Sequence, residues 1–124
     1  MTLVDSSGWI EYFTDGTLAG RFAPHLENIA EVTTPTIVIF EVYRVIRRER
    51  SEEEAMEAVA QMQKSRVVDF DQFLALSAAE LSIEHKLAMA DAIVYATAMT
   101  EGIELVTADS DFEGLPGARV FSKP

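Results

Sequence analysis

The sequence contains no cysteine and only two histidines among its 124 residues. Without cysteine, the chain has no disulfide scaffold, no thiolate zinc site and no cysteine nucleophile. The two histidines, His25 and His85, lie far apart in the sequence, which excludes a multi-histidine metal site. Any metal ion would therefore be held by carboxylates, and these ligands suit Mg²⁺ or Mn²⁺.

Basic residues are also scarce. Ten Lys and Arg stand against 21 Asp and Glu, so the formal net charge is −11 at pH 7. Such a negative surface repels phosphate backbones, which argues against a protein that passively coats nucleic acid. Handling a polyanion would require a local basic patch, bound cations or both. No apolar run approaches the ~20 residues that span a bilayer, and the N-terminus carries no basic leader, so we expect a cytoplasmic protein with no membrane partner.

Hydrophobic residues make up 48% of the chain and charged residues 25%, values that fit one globular domain over residues 1–124. Short apolar runs predict strands at 2–4, 32–34, 67–70, 103–107 and 120–121. Helical periodicity predicts helices at 9–14, 18–31, 37–46, 51–64, 71–84 and 88–101. This alternation predicts an α/β fold with a mainly parallel central sheet of about four to five strands flanked by helices.

The segment 37–46 combines a strand-forming composition with a helical pattern of polar residues. Its β-branched and aromatic residues favour a strand. Polar residues at positions 41, 44, 47 and 48, however, fall on one face of a helix. We therefore predict a buried helix with a single polar stripe.

Four acids occupy positions where a carboxylate is unusual. Asp5 and Asp109 each follow an apolar strand, Glu41 interrupts the apolar segment 37–46, and Asp91 lies among small and apolar residues at a helix start. Ligands of parallel sheets bind beyond the carboxyl ends of the strands, where Asp5 and Asp109 would lie. Several converging carboxylates repel one another unless a divalent cation lies between them. The four acids together predict a metal site.

Each acid taken alone has a purely structural explanation. Asp5 and Asp109 could cap a helix or a turn. Asp91 could interact favourably with a helix dipole, and Glu41 could pair with an arginine one helical turn away. The occurrence of all four in one small domain favours the metal site.

The four acids lie within four short motifs. These motifs are Leu3-Val4-Asp5-Ser6-Ser7-Gly8-Trp9-Ile10, Pro35-Thr36-Ile37-Val38-Ile39-Phe40-Glu41-Val42, Met89-Ala90-Asp91-Ala92-Ile93-Val94-Tyr95-Ala96-Thr97-Ala98 and Leu105-Val106-Thr107-Ala108-Asp109-Ser110-Asp111-Phe112. In this order and spacing they resemble the motifs of the PIN-domain ribonucleases, and in particular of the VapC-type toxins of bacterial and archaeal toxin–antitoxin modules. The resemblance extends over nearly the whole chain and implies a three-layer PIN-like fold.

The resemblance also implies a set of four catalytic, metal-binding acids: Asp5, Glu41, Asp91 and Asp109. It implies supporting roles for Ser6, which follows the first acid, and for Thr107, which precedes the fourth. Asp111 is a second candidate for the fourth acid, because its spacing does not distinguish it from Asp109. Where the family commonly has Thr-Asn after the first acid, this chain has Ser6-Ser7.

By the same resemblance we expect a Mg²⁺- or Mn²⁺-dependent endoribonuclease that is the toxin of a type II toxin–antitoxin system. Its substrate would be RNA, its partner a VapB-like antitoxin, and its assembly a homodimer. One or two bound ions would activate a water for attack and neutralise charge on the leaving oxygen. The expected products carry a 5′-phosphate and a 3′-hydroxyl.

Four of the ten basic residues cluster within positions 44–50. Three of them, Arg44, Arg47 and Arg48, share a helical face and are candidate contacts for RNA phosphates. The alternative is a solvated helix end that complements its own dipole and the acids at 52–54.

The aromatic residues Trp9, Tyr12 and Phe13 lie on one predicted helix. Their spacing favours a place in the core or in an interface over the stacking of bases. An amphipathic aromatic helix would also suit the homodimer that the resemblance implies.

Two other functions fit part of the sequence. A catalytically silent PIN-like binding or scaffold module would share the fold, but the intact set of four acids argues against it. A phosphoryl-transfer enzyme of the haloacid dehalogenase type also has Asp after its first strand. That chemistry requires a second Asp two positions later, where this chain has Ser7.

Overall fold

The computed structural model describes residues 1–124 and contains five strands and six α-helices. The strands are β1 (Thr2–Val4), β2 (Val32–Pro35), β3 (Arg66–Val68), β4 (Glu104–Thr107) and β5 (Ala118–Val120). The helices are α1 (Ser6–Phe13), α2 (Ala19–Leu26), α3 (Thr36–Glu49), α4 (Glu52–Met62), α5 (Gln72–His85) and α6 (Met89–Glu101). Two 3₁₀ helices lie at Ile29–Glu31 and Ser110–Phe112.

The five strands form one sheet in the order β3-β2-β1-β4-β5, and every neighbouring pair is parallel. The predicted α/β fold with a parallel sheet of four to five strands is therefore confirmed. In the central strand, Leu3 pairs with Thr33 on one side and Leu105 on the other. Because the strands are parallel, their carboxyl ends meet at one edge of the sheet, and we call this the carboxyl edge.

The segment from Thr36 to Glu49 is a helix, as its polar spacing predicted. Val38, Val42 and Ile46 form its buried face. The tertiary core thus overrides the β-propensity of this apolar run. The helix predicted at 51–64 is present as α4, and Ser51 caps it by accepting the Glu54 N–H at 3.0 Å.

Three predicted elements were wrong in extent, and the first is the strand predicted at 67–70, which is β3 at Arg66–Val68 and ends before Asp69. The helix predicted at 18–31 is interrupted: α2 ends at Leu26, and Asn28 takes the non-helical angles φ −91° and ψ 70° before the 3₁₀ turn. Asparagine favours such a break, because its side chain competes with the helical backbone hydrogen bonds. The last strand, predicted at 120–121, is β5 at Ala118–Val120, since pairing with β4 begins directly after the turn at Gly117 (φ +82°).

Helix α1 packs very closely on the sheet. A Cβ atom at Gly8 would lie 2.5 Å from Val4 Cγ1 and 2.6 Å from the Phe22 ring, so only glycine permits this approach. Trp9 is 1% exposed and stacks on Phe13 with ring centroids 5.5 Å apart. Trp9 therefore belongs to the core and is not available to a base or to a partner.

None of the six helices is both long enough and apolar enough to cross a lipid bilayer.

Candidate active site

The structure brings the four sequence-predicted acids together at the carboxyl edge. Asp5 directly follows β1, and Asp109 lies two residues beyond β4. Glu41 is in the second turn of α3, and Asp91 is in the first turn of α6. The negative charges of Asp5, Glu41 and Asp109 all raise the pKa of Asp91, as expected for carboxyl groups that lie close together.

The tightest grouping within this site contains three acids. Asp91, Asp109 and Asp111 each offer one carboxylate oxygen, and these oxygens lie within 4.8 Å of one another. An octahedral Mg²⁺ with ligands at about 2.1 Å spans roughly 4.2 Å between opposite oxygens, so the spacing fits one such ion after small side-chain adjustments. Both candidates for the fourth acid, Asp109 and Asp111, therefore lie beside Asp91.

Burial and like charge both disfavour ionisation of Asp91. Desolvation is the larger cause, and the negative charges of Asp109, Asp111, Glu41 and Asp5 add to it, which raises the pKa of Asp91 to about 7. Every charged group that acts on Asp91 is an acid. The cluster therefore lacks its own positive charge and favours a bound cation.

Asp5 is 4% exposed and is held by two hydroxyl groups. The Ser7 hydroxyl donates to its Oδ1 at 2.6 Å, and the Thr107 hydroxyl donates to its Oδ2 at 2.7 Å. Burial raises the pKa of Asp5 to about 6, because desolvation outweighs these hydrogen bonds and the charge of Asp109 raises the pKa further. Asp5 is thus a fixed carboxylate at the floor of the site.

The capping roles considered for two of the acids are also present. Asp5 Oδ1 accepts the Gly8 N–H at 3.4 Å at the start of α1, and Asp109 Oδ1 accepts the Asp111 N–H at 2.9 Å at the start of the second 3₁₀ helix. The cap and the acidic site are compatible, because each carboxylate keeps acceptor capacity beyond its cap bond.

Glu41 is half-buried beside the serine that follows the first acid. Burial raises the pKa of Glu41, a hydrogen bond from the Ser6 side chain opposes that rise, and the charge of Asp109 adds to it. Arg44 lowers the pKa by its charge, but the two side chains do not form an ion pair within 4.0 Å. The helical ion pair considered for Glu41 is therefore absent, and Ser6 contacts Glu41 rather than Asp5.

Sequence reasoning selected Ser6 and Thr107 as supporting residues and missed Ser7. Ser7 Oγ accepts the Ala108 N–H at 2.9 Å in addition to its bond to Asp5. A hydroxyl two positions after an acid at a strand end is typical of local side-chain turns, and this signal could have identified Ser7.

The three arginines of the predicted RNA contact are exposed on α3. Arg47 lies 4.0 Å from Glu52, and Arg48 lies 3.6 Å from Glu49. Exposed pairs of this kind contribute little free energy and leave the cations free to bind other anions. The local charge pairs expected under the alternative explanation are thus present at the helix end, but they are weak.

An apolar groove of about 630 Å³ lies between α3 and α4, and the same arginines line it. A smaller pocket of about 300 Å³ contains Ser6 and Glu41. Phe40 and Arg44 line both cavities, and the Phe40 side chain is 57% exposed. The basic patch is therefore continuous with the acidic site.

The chain belongs to the PIN domain family, which it matches over residues 2–118. The resemblance that the four motifs predicted is thereby confirmed. No curated protein matches the sequence significantly.

Among solved structures, a toxin–antitoxin complex from Klebsiella pneumoniae has 25% identity and a TM-score of 0.82, with 99% of this chain and 100% of that chain covered. VapC20 from Mycobacterium tuberculosis, a toxin that cleaves the sarcin–ricin loop, has 22% identity and a TM-score of 0.77, with 94% and 96% covered. DNA-bound VapBC from Salmonella typhimurium has 18% identity and a TM-score of 0.74, with 98% and 96% covered. The chain thus has the fold of the VapC-type toxins.

Proposed function

We propose that the protein is a Mg²⁺- or Mn²⁺-dependent endoribonuclease, formed by one domain over residues 1–124, and the toxin of a type II toxin–antitoxin system. One observation carries the proposal: acids from four separate segments converge at the carboxyl edge, where carboxylate oxygens of Asp91, Asp109 and Asp111 lie within 4.8 Å of one another. The similarity to a toxin–antitoxin complex and to a toxin that cleaves the sarcin–ricin loop supports it.

In this proposal the acids hold the metal and orient the reacting groups. Asp91 and Asp109 are the principal ligands, Asp111 is the alternative to Asp109, and Asp5 and Glu41 complete the acidic site. The carboxylate oxygens match the ligand preference of Mg²⁺ and Mn²⁺. A divalent cation held by these residues would supply an activated water at neutral pH and would offset the charge that develops on phosphate.

Arg44, Arg47 and Arg48 bind RNA phosphates on the approach to the acids. Arg44 lines both the groove and the pocket beside Glu41, so a strand bound in the groove can continue into the site. Phe40, more than half exposed in the same place, offers a ring on which a base can stack. Cellular RNA as substrate implies action in the cytoplasm.

A VapB-like antitoxin is the proposed protein partner. A cleft with uncompensated carboxylates is a receptor for an Arg or Lys side chain, which can take the place of the metal's charge. A basic segment of the antitoxin would then compete with the metal and with RNA. The similarity to a VapBC complex is consistent with this partner.

The proposed assembly is a homodimer. Helix α5 is apolar on two faces: Leu74 and Ala78 are buried, whereas Phe73, Leu76 and Ile83 are 63%, 64% and 76% exposed. Large apolar side chains exposed together on one helix, here beside the exposed Glu80 and Glu84, are typical of an interaction surface. The exposed face of α5 is therefore the proposed contact, and α1 is not, because Trp9 belongs to the core.

Cleavage of total cellular RNA, with mapping of the new ends, tests the proposed activity. The wild-type protein with Mg²⁺ should produce defined fragments with 5′-phosphate and 3′-hydroxyl ends. Asp109→Asn should remove the cleavage, and Asp15→Asn should not, because Asp15 is an exposed acid with φ +54°, where asparagine is well tolerated.

A catalytically silent binding module gives the opposite result. Such a protein would bind RNA or the antitoxin, and no new ends would arise with Mg²⁺ or Mn²⁺ at any protein concentration. This outcome would overturn the proposed activity.

A further inference from the structure

Two hydroxyl groups connect the carboxylate of Asp5 to the backbone that follows β4. A hydroxyl has one proton to donate and two lone pairs that accept. The Ser7 proton goes to Asp5 Oδ1 (2.6 Å) and the Thr107 proton to Asp5 Oδ2 (2.7 Å). Each hydroxyl oxygen then accepts a backbone N–H, from Ala108 and from Asp109 respectively, at 2.9 Å in both cases.

This arrangement uses both hydroxyl protons on the same carboxylate. The contact of 3.2 Å between the two hydroxyl oxygens is therefore left without a proton of its own. Two parallel connections result, each running from a backbone N–H through a hydroxyl to one oxygen of Asp5. We call Ser7 and Thr107 together the hydroxyl bridge.

The hydroxyl bridge determines where two acids lie relative to each other. Asp5 belongs to the end of β1, and Asp109 belongs to the turn after β4, so no covalent segment shorter than 100 residues joins them. Thr107 is the last residue of β4 and precedes Asp109 by two residues, so it lies on the same side of the site as Asp109. Thr107 reaches Asp5 from the β4 side, and Ser7, which belongs to α1, reaches the Ala108 backbone from the other side.

We propose that Ser7 is a positioning residue, which fixes the Asp5 carboxylate and the Ala108–Asp109 backbone in the geometry that binds a divalent cation. Without the Ser7 hydroxyl, the Ala108 N–H loses its acceptor and Asp5 Oδ1 retains only the bond of 3.4 Å from Gly8. The turn that carries Asp109 then gains freedom. Binding the cation must then order this turn, and the free-energy cost of that ordering weakens the observed affinity.

The first test measures metal binding and uses no activity. Titration with Mn²⁺, followed by the paramagnetic resonance of the free ion, should give a dissociation constant about 10-fold higher for Ser7→Ala than for the wild type, as is typical for loss of an outer-shell partner. Ser7→Thr should restore the wild-type value, and Ser7→Val, which has the same shape as Ser7→Thr but no hydroxyl, should not. Equal affinities of Ser7→Thr and Ser7→Val would overturn the proposal.

The second test uses the metal-free protein. Hydrogen exchange of the Ala108 amide, measured by NMR, should be faster in Ser7→Ala than in the wild type, whereas the amides of Leu3 and Leu105 in the central strands should keep their protection. Unchanged exchange at Ala108 would overturn the proposal. This test remains valid if the β-branched variants do not fold.

Ser65→Ala is the matched control. Ser65 also has a part-buried hydroxyl within 2.6 Å of a threonine hydroxyl (Thr34), and it donates to the carbonyl of Met62 rather than to an acid. It should lose stability and keep its Mn²⁺ affinity. A comparable loss of affinity in this control would assign the Ser7 effect to general destabilisation and overturn the proposal.

The inference rests on the proposed function only for the Mn²⁺ titration. If wild-type protein does not bind Mn²⁺, the proposed metal site is wrong, and the amide exchange of Ala108 still decides the role of Ser7 in positioning Asp109. Failure of the two ideas is therefore distinguishable.

Discussion

Asp91 and Asp109 face each other from two different elements, with one carboxylate oxygen of each within 4.8 Å of the other. Asp91 is in the first turn of α6, and Asp109 follows β4. Burial and the charge of Asp109 are the two largest causes of the raised pKa of Asp91. The two residues therefore repel each other in the metal-free protein. The thermal stability of the metal-free protein is a measure of this repulsion.

Asp91→Asn should leave the metal-free protein as stable as the wild type or more stable, because one of several like charges is removed. The lost attraction between Asp91 and the α6 dipole, about 0.3–1 kcal/mol, opposes this gain only in part. Its ribonuclease activity should fall by more than the roughly 10–100-fold that loss of an outer-shell partner costs. Melting in EDTA and a cleavage assay measure the two effects. A structural ion pair would behave oppositely, so a large drop in melting temperature without metal would count against the acidic site.

The metal-free protein should be more stable at about pH 5 than at about pH 8. The folded-state pKa values of Asp5 and Asp91, about 6 and about 7, lie above the ordinary value of 3.8. Between the ordinary value of 3.8 and each raised pKa, the folded state binds more protons than the unfolded state. The free energy of unfolding therefore falls as pH rises through this range. Thermal unfolding in EDTA over this pH range measures the slope, and Asp91→Asn should flatten it. A melting temperature that rises towards pH 8 would refute the raised pKa values.

Removal of divalent metal should abolish cleavage. Activity should disappear in EDTA and return with Mg²⁺ or Mn²⁺, whereas Ca²⁺ should serve poorly because its longer bonds and higher coordination number do not suit a compact carboxylate site. Zn²⁺ should also serve poorly, since the site offers neither cysteine nor histidine. RNA cleavage at several concentrations of each ion measures this preference. Full activity in excess chelator would exclude the metal mechanism.

Inhibition by the cognate antitoxin should depend on its basic residues and on salt. The net charge of −11 steers a basic segment towards the acids, and this attraction weakens as ionic strength rises. Replacing the basic residues of the antitoxin tail should weaken inhibition, and about tenfold more Mg²⁺ should compete with the tail. If neither change affects inhibition, the antitoxin acts at another surface.

Charges on the exposed face of α5 should disrupt the proposed homodimer. Leu76→Glu combined with Ile83→Glu places two carboxylates on side chains that are 64% and 76% exposed, so the fold should tolerate them. Light scattering during size-exclusion chromatography should change from the mass of two chains to the mass of one. Ala60→Glu, at an exposed position on α4, is the control and should leave the mass unchanged. A monomeric wild-type protein, or a dimeric double variant, would reject this interface.

The fold was predictable because several local signals agreed. The alternation of apolar runs and helical spacing gave the α/β class, and the polar stripe of 37–46 outweighed its β-propensity because Glu41 and Arg44 lie three residues apart on one face. Helix ends followed recognisable residues, such as Ser51 at the start of α4 and Gly102, with φ +66°, at the end of α6. The interruption near Asn28 and the exact extent of β5 depend on tertiary packing, which short-range patterns do not contain.

The sequence was sufficient to predict which acids lie at the site. The catalytic and metal-binding roles of these acids remain predictions. Asp5 and Asp109 converge because strand ends meet at one edge, and Glu41 and Asp91 join them from the first two turns of α3 and α6. The sequence did not predict that Ser6 contacts Glu41 and Ser7 contacts Asp5, because these contacts depend on which side of α1 each hydroxyl occupies. Sequence spacing also does not separate Asp109 from Asp111, and in the structure both lie beside Asp91.

The position of β4 between β1 and β5 has a consequence for protein synthesis. The Thr107 hydroxyl reaches Asp5 across 102 positions, and Asp109 follows it, so a nascent chain translated only as far as α6 contains three of the acids without their organising strand. In such a chain β1 is still an edge strand, and Asp5 lacks both Thr107 and the Ala108 turn. The ribosome-bound intermediate should therefore lack the proposed nuclease activity. Under the proposed function, elongation of the last segment sets a delay in which an inhibitor can bind before any RNA is cut.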